Sequence, residues 1–561
     1  MANTVQEIDA RRNFHRRRWV PVFLFILGIV VFLPSIWSET SVTERDEYSL
    51  SFRTPMEMKE RGAWLTPWLD RQPRLRKPPL LYWATLADYK IFGITLAAAR
   101  IWGVLAGAGL AVCSCLVARE IFRTNGMLAG LLTLSSVGVA VEARQAMLDL
   151  PVAFFSVLAV LFWLRWMGHE RWRDILLSAC ALGCAFLVKG PVGLFFFLIG
   201  AVAALWGFHD WRILRRRPMQ LLGWFVLVLA ICLPWPLLMR HLWGDRFTET
   251  LDGEMAARHF IDWESIRFIS TFSGLLGLIF PWTPLFFGAV VGYFMKIRYG
   301  SRRSQTWLLI WCLATAMPFF LMKASERYLL ALAPVECVMI ASWLEDGETC
   351  ARRWLCRACV GMLALVALFF SAAVIWFKLG IVGPVLCFAA TGWTLWQAMR
   401  TKSNLRVALG AVVTMSLCLG VVYPQFGVNA MPPDLQEKLA GLPAAQFDGI
   451  HPCLISMRLG YSVQRFDNKT FPTELAAHPD GVALFLTKFE RKEFDEMLAT
   501  NHLQTTELFH FGTLAALKTY LGSHKFDRDT RWEAFATRSI EPLQIQVYCY
   551  RITPALEQAR N

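Results

Sequence analysis

Long apolar segments alternate with short polar connections along most of the chain. Windows of roughly 17 to 25 apolar residues, the length that crosses the hydrocarbon core of a bilayer, recur between Trp19 and about Tyr423. After Pro424 these windows stop, and the composition becomes that of an ordinary globular domain. The pattern predicts a polytopic α-helical membrane region over residues 19–424 and a separate domain over residues 425–561.

About thirteen segments of the first region are predicted to cross the membrane. A further segment, residues 79–93, is short enough to lie at the interface as a helix instead of crossing. The predicted spans are residues 19–37, 96–118, 126–142, 150–167, 174–189, 191–208, 219–238, 271–295, 305–322, 327–344, 354–377, 381–398 and 405–424.

Positive charge is concentrated in every second connection between these spans. The clusters are residues 119–123, 165–173, 212–217, 296–303, 352–357 and 400–406. Because Lys and Arg are enriched in cytoplasmic loops, the clusters mark the cytoplasmic side, and the Arg-rich N-terminal tail, residues 1–18, is placed there too. An odd number of spans then predicts that the C-terminal domain is periplasmic, together with the loops over residues 38–95 and 239–270.

Composition adds an excess of positive charge to this picture. The chain has 57 Lys and Arg against 43 Asp and Glu, a formal net charge of +14. Since these cations lie in short clusters between apolar spans rather than on one continuous face, they indicate orientation in a membrane. Membrane lipids are therefore expected partners, and no nucleic-acid partner is predicted.

The C-terminal region is predicted to be a small α/β domain. Alternating runs over residues 482–486 and 545–548 have helical stretches between them. It shows no catalytic constellation, so an acceptor-facing or stabilising role is expected. Most of the 14 cysteines lie singly in apolar spans, and they form no Cys/His cluster with zinc spacing, but Cys453 and Cys549 lie in this domain and could form a disulfide if it is periplasmic.

The first outside loop mixes acids, bases and aromatic residues. Thr-Glu-Arg-Asp-Glu-Tyr occupies residues 43–48, Gly-Ala-Trp-Leu-Thr-Pro residues 62–67, and Arg-Lys-Pro-Pro-Leu-Leu-Tyr-Trp residues 76–83. A surface loop without a task would tolerate such a mixture. Here, however, carboxylates follow directly after the first span, and Lys77 precedes an aromatic segment at the water interface, which is the depth of a lipid phosphate.

These motifs resemble the first periplasmic loop of aminoarabinose transferases and of their relatives, the protein mannosyltransferases. The shared pattern is an acid pair and an aromatic residue, then Gly-x-Trp-x-x-Pro, then Lys-Pro-Pro-Leu-x-Tyr-Trp. Further matching segments are Arg100 and residues 144–149, 186–191, 280–282 and 323–328. Together they extend over most of the membrane region, and their order is specific for the superfamily but not for the sugar or the acceptor.

The resemblance implies a type C glycosyltransferase fold with periplasmic interfacial helices and a cavity for a polyprenyl phosphate sugar. The expected enzyme moves one sugar from undecaprenyl phosphate to a periplasmic acceptor at a bacterial inner membrane, with inversion at the anomeric carbon. Lipid A is the leading acceptor, a protein is the second, and other glycans are the third. A lipid or sugar transporter is the non-enzyme alternative. It predicts inverted repeats, which the sequence does not show, and charges inside the spans, whereas the charges of the matching segments collect at the outside ends of spans.

This chemistry needs a base for the acceptor hydroxyl and cations for the leaving phosphate. By analogy with the family's loop the base is Asp46, with Glu47 and Glu44 as alternatives; a non-catalytic reading pairs Asp46 with Arg45 or Arg53. Asp149 is the third catalytic candidate: it either orients Lys77 or Lys189 or caps the helix that follows it. The predicted ligands of the donor phosphate or sugar are Lys77, Tyr82, Lys189, Arg258, Lys323 and Tyr328.

The same cations and tyrosines could instead be interfacial anchors, since long basic side chains extend to lipid headgroups and tyrosines favour the interface. Two departures from the aminoarabinose transferases concern a metal. Arg76 stands where those enzymes have an acid, and Met255 where they have a histidine, and these two positions can jointly hold a metal in the family. We therefore predict no metal site and no cofactor here, and the sugar need not be aminoarabinose.

Overall fold

The computed structural model describes residues 19–44, 46–122, 124, 126–256, 271–299, 303–321, 325–401, 403–447, 453–465, 475–501, 503–514 and 528–553. Nineteen α-helices of very different lengths make up the first part of the described chain. They are α1 (Trp19–Phe32), α2 (Arg53–Glu60), α3 (Leu80–Phe92), α4 (Leu96–Phe122), α5 (Met127–Leu134), α6 (Val137–Glu142), α7 (Asp149–His169), α8 (Trp172–Lys189), α9 (Pro191–Gly207), α10 (Ile213–Arg216), α11 (Pro218–Cys232), α12 (Pro234–Trp243), α13 (Asp245–Ala256), α14 (Thr283–Tyr299), α15 (Arg303–Leu321), α16 (Ala333–Glu345), α17 (Cys350–Trp376), α18 (Val382–Arg400) and α19 (Asn404–Leu417).

Several of these helices are suited to a bilayer. Within the described residues, six segments are long and apolar enough to cross a membrane, and three shorter apolar helices accompany them. The six are Leu96–Phe122, Asp149–His169, Pro218–Trp243, Glu326–Glu345, Cys350–Trp376 and Asn404–Phe426. The prediction of a polytopic helical membrane region is therefore confirmed.

Two predicted spans are interrupted by turns of two or more residues. The span predicted over residues 126–142 is divided into α5 and α6, and the one over residues 271–295 contains a turn before α14. The two breaks pair with each other: the N–H groups of Val137 and Gly138 donate to the carbonyls of Phe280 and Leu278, at 2.9 and 2.8 Å. Backbone groups freed at the breaks are thus satisfied by protein, as an apolar environment demands.

The C-terminal region contains a five-stranded mixed sheet. Its elements are α20 (Leu435–Lys438), β3 (Ala444–Gln446), α21 (Leu454–Leu459), β4 (Gln464–Arg465), β5 (Val482–Thr487), α22 (Arg491–Asn501), β6 (Gln504–Thr513), α23 (Arg528–Thr537) and β7 (Ile545–Thr553); a two-residue hairpin of the first loop, β1 (Trp68–Leu69) and β2 (Gln72–Pro73), precedes them. The strand order is β4-β3-β5-β7-β6, with β3 parallel to β4 and β5, and with β7 antiparallel to β5 and β6. Every residue of the central strand β5 is buried.

This sheet domain is attached to the first loop. Tyr48 and Phe52 form a buried apolar cluster with Cys453 and Met457 of the C-terminal region. Two polar contacts accompany the cluster: Arg458 Nη1 lies 3.1 Å from Glu39 Oε1, and the Ser462 N–H donates to Glu60 Oε1 at 2.8 Å. Cys453 and Cys549 are both free thiols, buried in different apolar clusters. The loop that carries the predicted base is thus packed against the domain that ends the chain.

Candidate active site

Arg327 joins two carboxylates of the predicted site. Its Nη2 donates to Asp46 Oδ2 at 2.6 Å, and its Nε lies 3.4 Å from Asp149 Oδ2. Asp46 immediately precedes a single π-helical turn in the first loop, Arg327 lies in the short 3-10 helix before α16, and Asp149 is the first residue of α7. Three segments that are far apart in sequence therefore converge at one guanidinium.

The exposures of these groups differ in a way that suits a reaction. The Asp46 side chain is 41% exposed, whereas those of Arg327 and Asp149 are 15% and 5% exposed. Asp46 is therefore oriented by a largely buried cation while it remains open to an incoming group. The alternative pairing with Arg53 is not found, because Arg53 contacts Glu57 and Asp70 instead. Arg45 lies outside the described residues.

Lys189 extends the cluster on the other side of Asp149. Its ammonium forms an ion pair with the Asp149 carboxylate and lies 4.1 Å from the centre of the Tyr328 ring. Local sequence fixes this position: Gly190, with a φ of +71°, ends α8 directly after Lys189, and Pro191 begins α9. Only glycine adopts that φ readily, and proline is favoured at a helix start. Lys189, Asp149 and Tyr328 are thereby brought together as predicted site residues.

Lys77 lies in a segment that packs beside this cluster. Leu80, three residues after it, shares an apolar cluster with Leu148 and Val188, the neighbours in sequence of Asp149 and Lys189. A β-carbon placed on Gly190 would lie 3.8 Å from Cγ of Pro78. The Lys77 ammonium itself is 3.0 Å from Glu254 Oε2 of α13.

Tyr82 and Glu47 are less suited to the predicted roles. Tyr82 is 2% exposed, and its hydroxyl accepts a hydrogen bond from Arg74 Nε at 3.2 Å. Glu47 is completely buried, and Arg100 binds both of its carboxylate oxygens, at 2.7 and 3.0 Å. It also accepts hydrogen bonds from the Thr43 hydroxyl at 2.6 Å and the Ala146 N–H at 2.9 Å. The Glu47 carboxylate could contact an acceptor only if these hydrogen bonds were broken.

A cavity of about 740 Å³ opens beside the cluster. Glu44, Glu142, Gln145 and Arg327 contribute polar groups to its wall. Aromatic side chains form much of the remaining wall; they are Phe369, Phe370, Phe377, Tyr423 and Phe426. A lining of this kind can receive a molecule with a polar head and an apolar body.

Arg258 and Lys323 lie outside the described residues. Sequence reasoning missed three other groups as site residues: Arg327, the partner of Asp46; Glu254, the partner of Lys77; and Glu142, a buried carboxylate in the cavity wall. Glu142 could have been noticed, because an acid at the end of a predicted span is costly unless it has a task. No group of three His, Cys, Asp or Glu side chains that could hold a metal ion occurs in the part of the chain that the structure describes.

Similar proteins agree with this architecture. The family described as dolichyl-phosphate-mannose-protein mannosyltransferase matches residues 21–241. The crystal structure of ArnT from Cupriavidus metallidurans bound to undecaprenyl phosphate superposes with a TM-score of 0.67 at 17% identity, and the alignment covers 94% of this chain and 97% of that one. The predicted type C glycosyltransferase fold is therefore confirmed.

Two curated relatives are similar over shorter stretches. An undecaprenyl phosphate-alpha-4-amino-4-deoxy-L-arabinose arabinosyl transferase of Pseudomonas aeruginosa is 27% identical over 232 residues, which is 40% of this chain and 40% of that protein. An uncharacterized protein of Aquifex aeolicus is 33% identical over 168 residues, 29% of this chain and 32% of that protein. The chain thus aligns with less than half the length of either relative. The predicted resemblance to aminoarabinose transferases and protein mannosyltransferases is confirmed.

Proposed function

We propose that this chain, which shares the fold of the aminoarabinose transferases, is a glycosyltransferase that takes its sugar from undecaprenyl phosphate. The single observation that carries the proposal is the arrangement of Asp46, Arg327, Asp149 and Lys189, in which an exposed carboxylate and two cations are held together. The matched transferase and the ArnT structure, whose names mention undecaprenyl phosphate, support this donor.

The enzyme lies in a bacterial inner membrane with about thirteen spans and with its N-terminus in the cytoplasm. The regular alternation of Arg-rich connections supports this orientation. It places the first loop, the loop over residues 239–270 and the C-terminal domain in the periplasm. The active cluster is then at the periplasmic face, where a polyprenyl phosphate sugar on that leaflet presents its phosphate.

Asp46 serves as the base in this mechanism. The acceptor hydroxyl attacks the anomeric carbon while Asp46 takes its proton, and the bond from that carbon to the phosphate oxygen breaks with inversion. Arg327 orients the Asp46 carboxylate, and Asp149 in turn holds Arg327 and Lys189 in place. We assign Glu47 to a structural task, because its carboxylate is fully engaged by Arg100.

Lys77 and Lys189 stabilise the leaving phosphate as negative charge develops on it. Glu254 presents a carboxylate to Lys77 at the distance of a charge-assisted hydrogen bond, which is also how a donor phosphate would be bound. The phosphate therefore replaces Glu254 at Lys77 when the donor enters. Tyr328 and the residues Arg258 and Lys323 complete the predicted donor site.

Lipid A is the proposed acceptor, and a protein is the second candidate. The name of the matched Pseudomonas transferase favours an aminoarabinose-type reaction, whereas the matched family name favours a protein acceptor. The cavity beside Asp46, with carboxylates and aromatic rings in its wall, is suited to an amphiphilic acceptor. This shape supports lipid A over a soluble glycan.

The test compares lipid A by mass spectrometry from cells that produce wild-type protein, Asp46→Asn, Asp70→Asn or no protein. Asp70 is the matched control, because it is a carboxylate of the same loop, is ion-paired with Arg53 and is exposed. We expect an added sugar mass with the wild type and Asp70→Asn, and none with Asp46→Asn at equal membrane expression. Full modification by Asp46→Asn would refute the assignment of the base, and unmodified lipid A in all strains would refute lipid A as acceptor.

A further inference from the structure

Helix α23 of the C-terminal domain presents an unusual surface. Arg528 precedes Arg531 and Trp532 by three and four residues, and Phe535 follows them by four and three, so all four lie on one face. The two aromatic side chains are 68% and 48% exposed. Their rings stack with centroids 5.7 Å apart. A soluble surface rarely exposes two adjacent large aromatic residues.

The acidic residues of α23 lie on a different face. Asp529 and Glu533 are one turn apart and are separated from the aromatic residues around the helix. Ala534 is completely buried and marks the side that packs against the protein. The helix therefore has a basic and aromatic face that is segregated from its acids, and such a face can bring cations and aromatic rings together to an anionic membrane interface.

The helix is attached to the end of a candidate membrane span. Trp376, the last residue of α17, donates its indole N–H to the carbonyl of Phe535 at 3.1 Å. The two rings stack with centroids 4.8 Å apart, and the Arg538 guanidinium lies 4.5 Å from the Trp376 ring centre. A tryptophan at a span end is typical of the membrane–water interface, so α23 lies at interfacial depth.

This end of α17 is on the same side of the membrane as the candidate active site. Phe377, the residue after Trp376, and Phe370, six residues before it, line the cavity that also contains Glu44 and Arg327. The contact with α23 is therefore made on the face where the transfer reaction is proposed. The residues that form the contact between α17 and α23 are not those of the Asp46 cluster.

We propose that the face of α23 formed by Arg528, Arg531, Trp532 and Phe535 binds the phosphate headgroups of anionic phospholipids in the adjacent leaflet. These four residues line a shallow, open depression of about 520 Å³. Guanidinium groups bind phosphate oxygens through paired hydrogen bonds, and the aromatic rings enter the boundary between headgroups and acyl chains. The C-terminal domain is thereby held on the membrane surface by lipid as well as by protein contacts.

The test uses the full-length protein in nanodiscs of phosphatidylcholine alone or of an equal mixture with phosphatidylglycerol. Hydrogen exchange is measured by mass spectrometry on peptides from α23 and, as an internal control, from α22. We expect exchange of the α23 amides to be slower by about tenfold in the anionic nanodiscs, because each Arg near an anionic surface strengthens binding several-fold. High salt should reduce this difference, and α22 should exchange equally in both.

Two charge-reversal variants test whether the protection depends on the α23 face itself or only on the total charge of the domain. Arg528→Glu/Arg531→Glu should abolish the lipid-dependent protection of α23. Lys488→Glu/Lys492→Glu is the matched control, because Lys488 is exposed and the Lys492 side chain is 91% exposed in the same domain, and it should retain the protection. Equal exchange of wild-type α23 in the two kinds of nanodisc would overturn the proposal by itself, whether or not the variants fold. The measurement contains no glycosyl transfer, so its failure would leave the proposed function intact.

Discussion

Glu47 and Asp46 are adjacent carboxylates for which the structure predicts opposite consequences of the same chemical change. Replacing either by its amide keeps the size of the side chain and removes the charge. Asp46→Asn should abolish transfer and leave the fold intact. Glu47→Gln should instead destabilise the protein, because Arg100 is completely buried and Glu47 supplies its carboxylate partner.

The expected magnitude follows from the burial of the pair. Both side chains are 0% exposed, so removing one charge leaves the other without compensation in the interior. Such a loss costs about 3–5 kcal/mol, whereas loss of a partly exposed ion pair like that of Asp46 costs about 1 kcal/mol or less. Replacing Glu47 and Arg100 together by Met should recover much of the stability, since no buried charge then remains unpaired.

Thermal unfolding of the purified protein in detergent measures these differences, and transfer is assayed on the same samples. We expect the apparent Tm to fall in the order wild type, Asp46→Asn, then Glu47→Gln, and to rise again in the double Met variant. A Glu47→Gln protein with the wild-type Tm but no transfer activity would refute this reasoning. Glu47 would then be the better candidate for the base.

The remaining predictions concern other parts of the structure. Arg327→Lys should lower kcat by about a hundredfold with little change in the KM for the donor. The reason is that Lys cannot contact both carboxylates, so Asp46 loses its orientation. An unchanged kcat in steady-state assays would contradict this prediction. Glu254→Gln should tighten the binding of undecaprenyl phosphate, the carrier released from the donor, since the phosphate no longer competes with a carboxylate for Lys77. Weaker binding in direct titrations would oppose the idea. Burial raises the pKa of the Cys453 thiol to about 12, so quantitative peptide mass spectrometry should show slow maleimide labelling of this residue in folded protein and rapid labelling after denaturation. Because unfolding lowers that pKa, the free energy of unfolding should also fall as pH rises above about 8.5.

The apolar pattern was sufficient to predict a polytopic helical membrane region and the individual helix α3, whereas the type C fold was implied by the family resemblance. Residues 79–93 were predicted to form a short helix, and the structure has one over Leu80–Phe92. The pattern was not sufficient to predict the two interrupted spans. Each break is stabilised by hydrogen bonds to the other, between Val137 and Phe280 for example, and such distant pairing leaves no periodic trace in either segment.

Most residues of the candidate site could be predicted from the sequence, but most of the ion pairs between them could not. Lys189 and Asp149 lie at the ends of apolar runs, where a charge is conspicuous, and an interaction between them was one of the predicted alternatives. Asp46 and Glu47 look equivalent in the sequence, since both follow the first span. Only the three-dimensional structure distinguishes them, because one faces Arg327 and the other faces Arg100.

The seam between the C-terminal domain and the first loop has an evolutionary consequence. Tyr48 and Phe52 follow Asp46 in sequence and pack against Cys453 and Met457. The domain therefore packs against the segment that carries the proposed base. Residues on the inner surface of the domain are therefore constrained by the reaction, although the proposed base, Asp46, lies in the first loop. Apart from the α23 face that is proposed to bind lipid, the outer surface carries no such constraint, and a lineage could remodel it to suit new acceptors while it inherits an unaltered reaction centre.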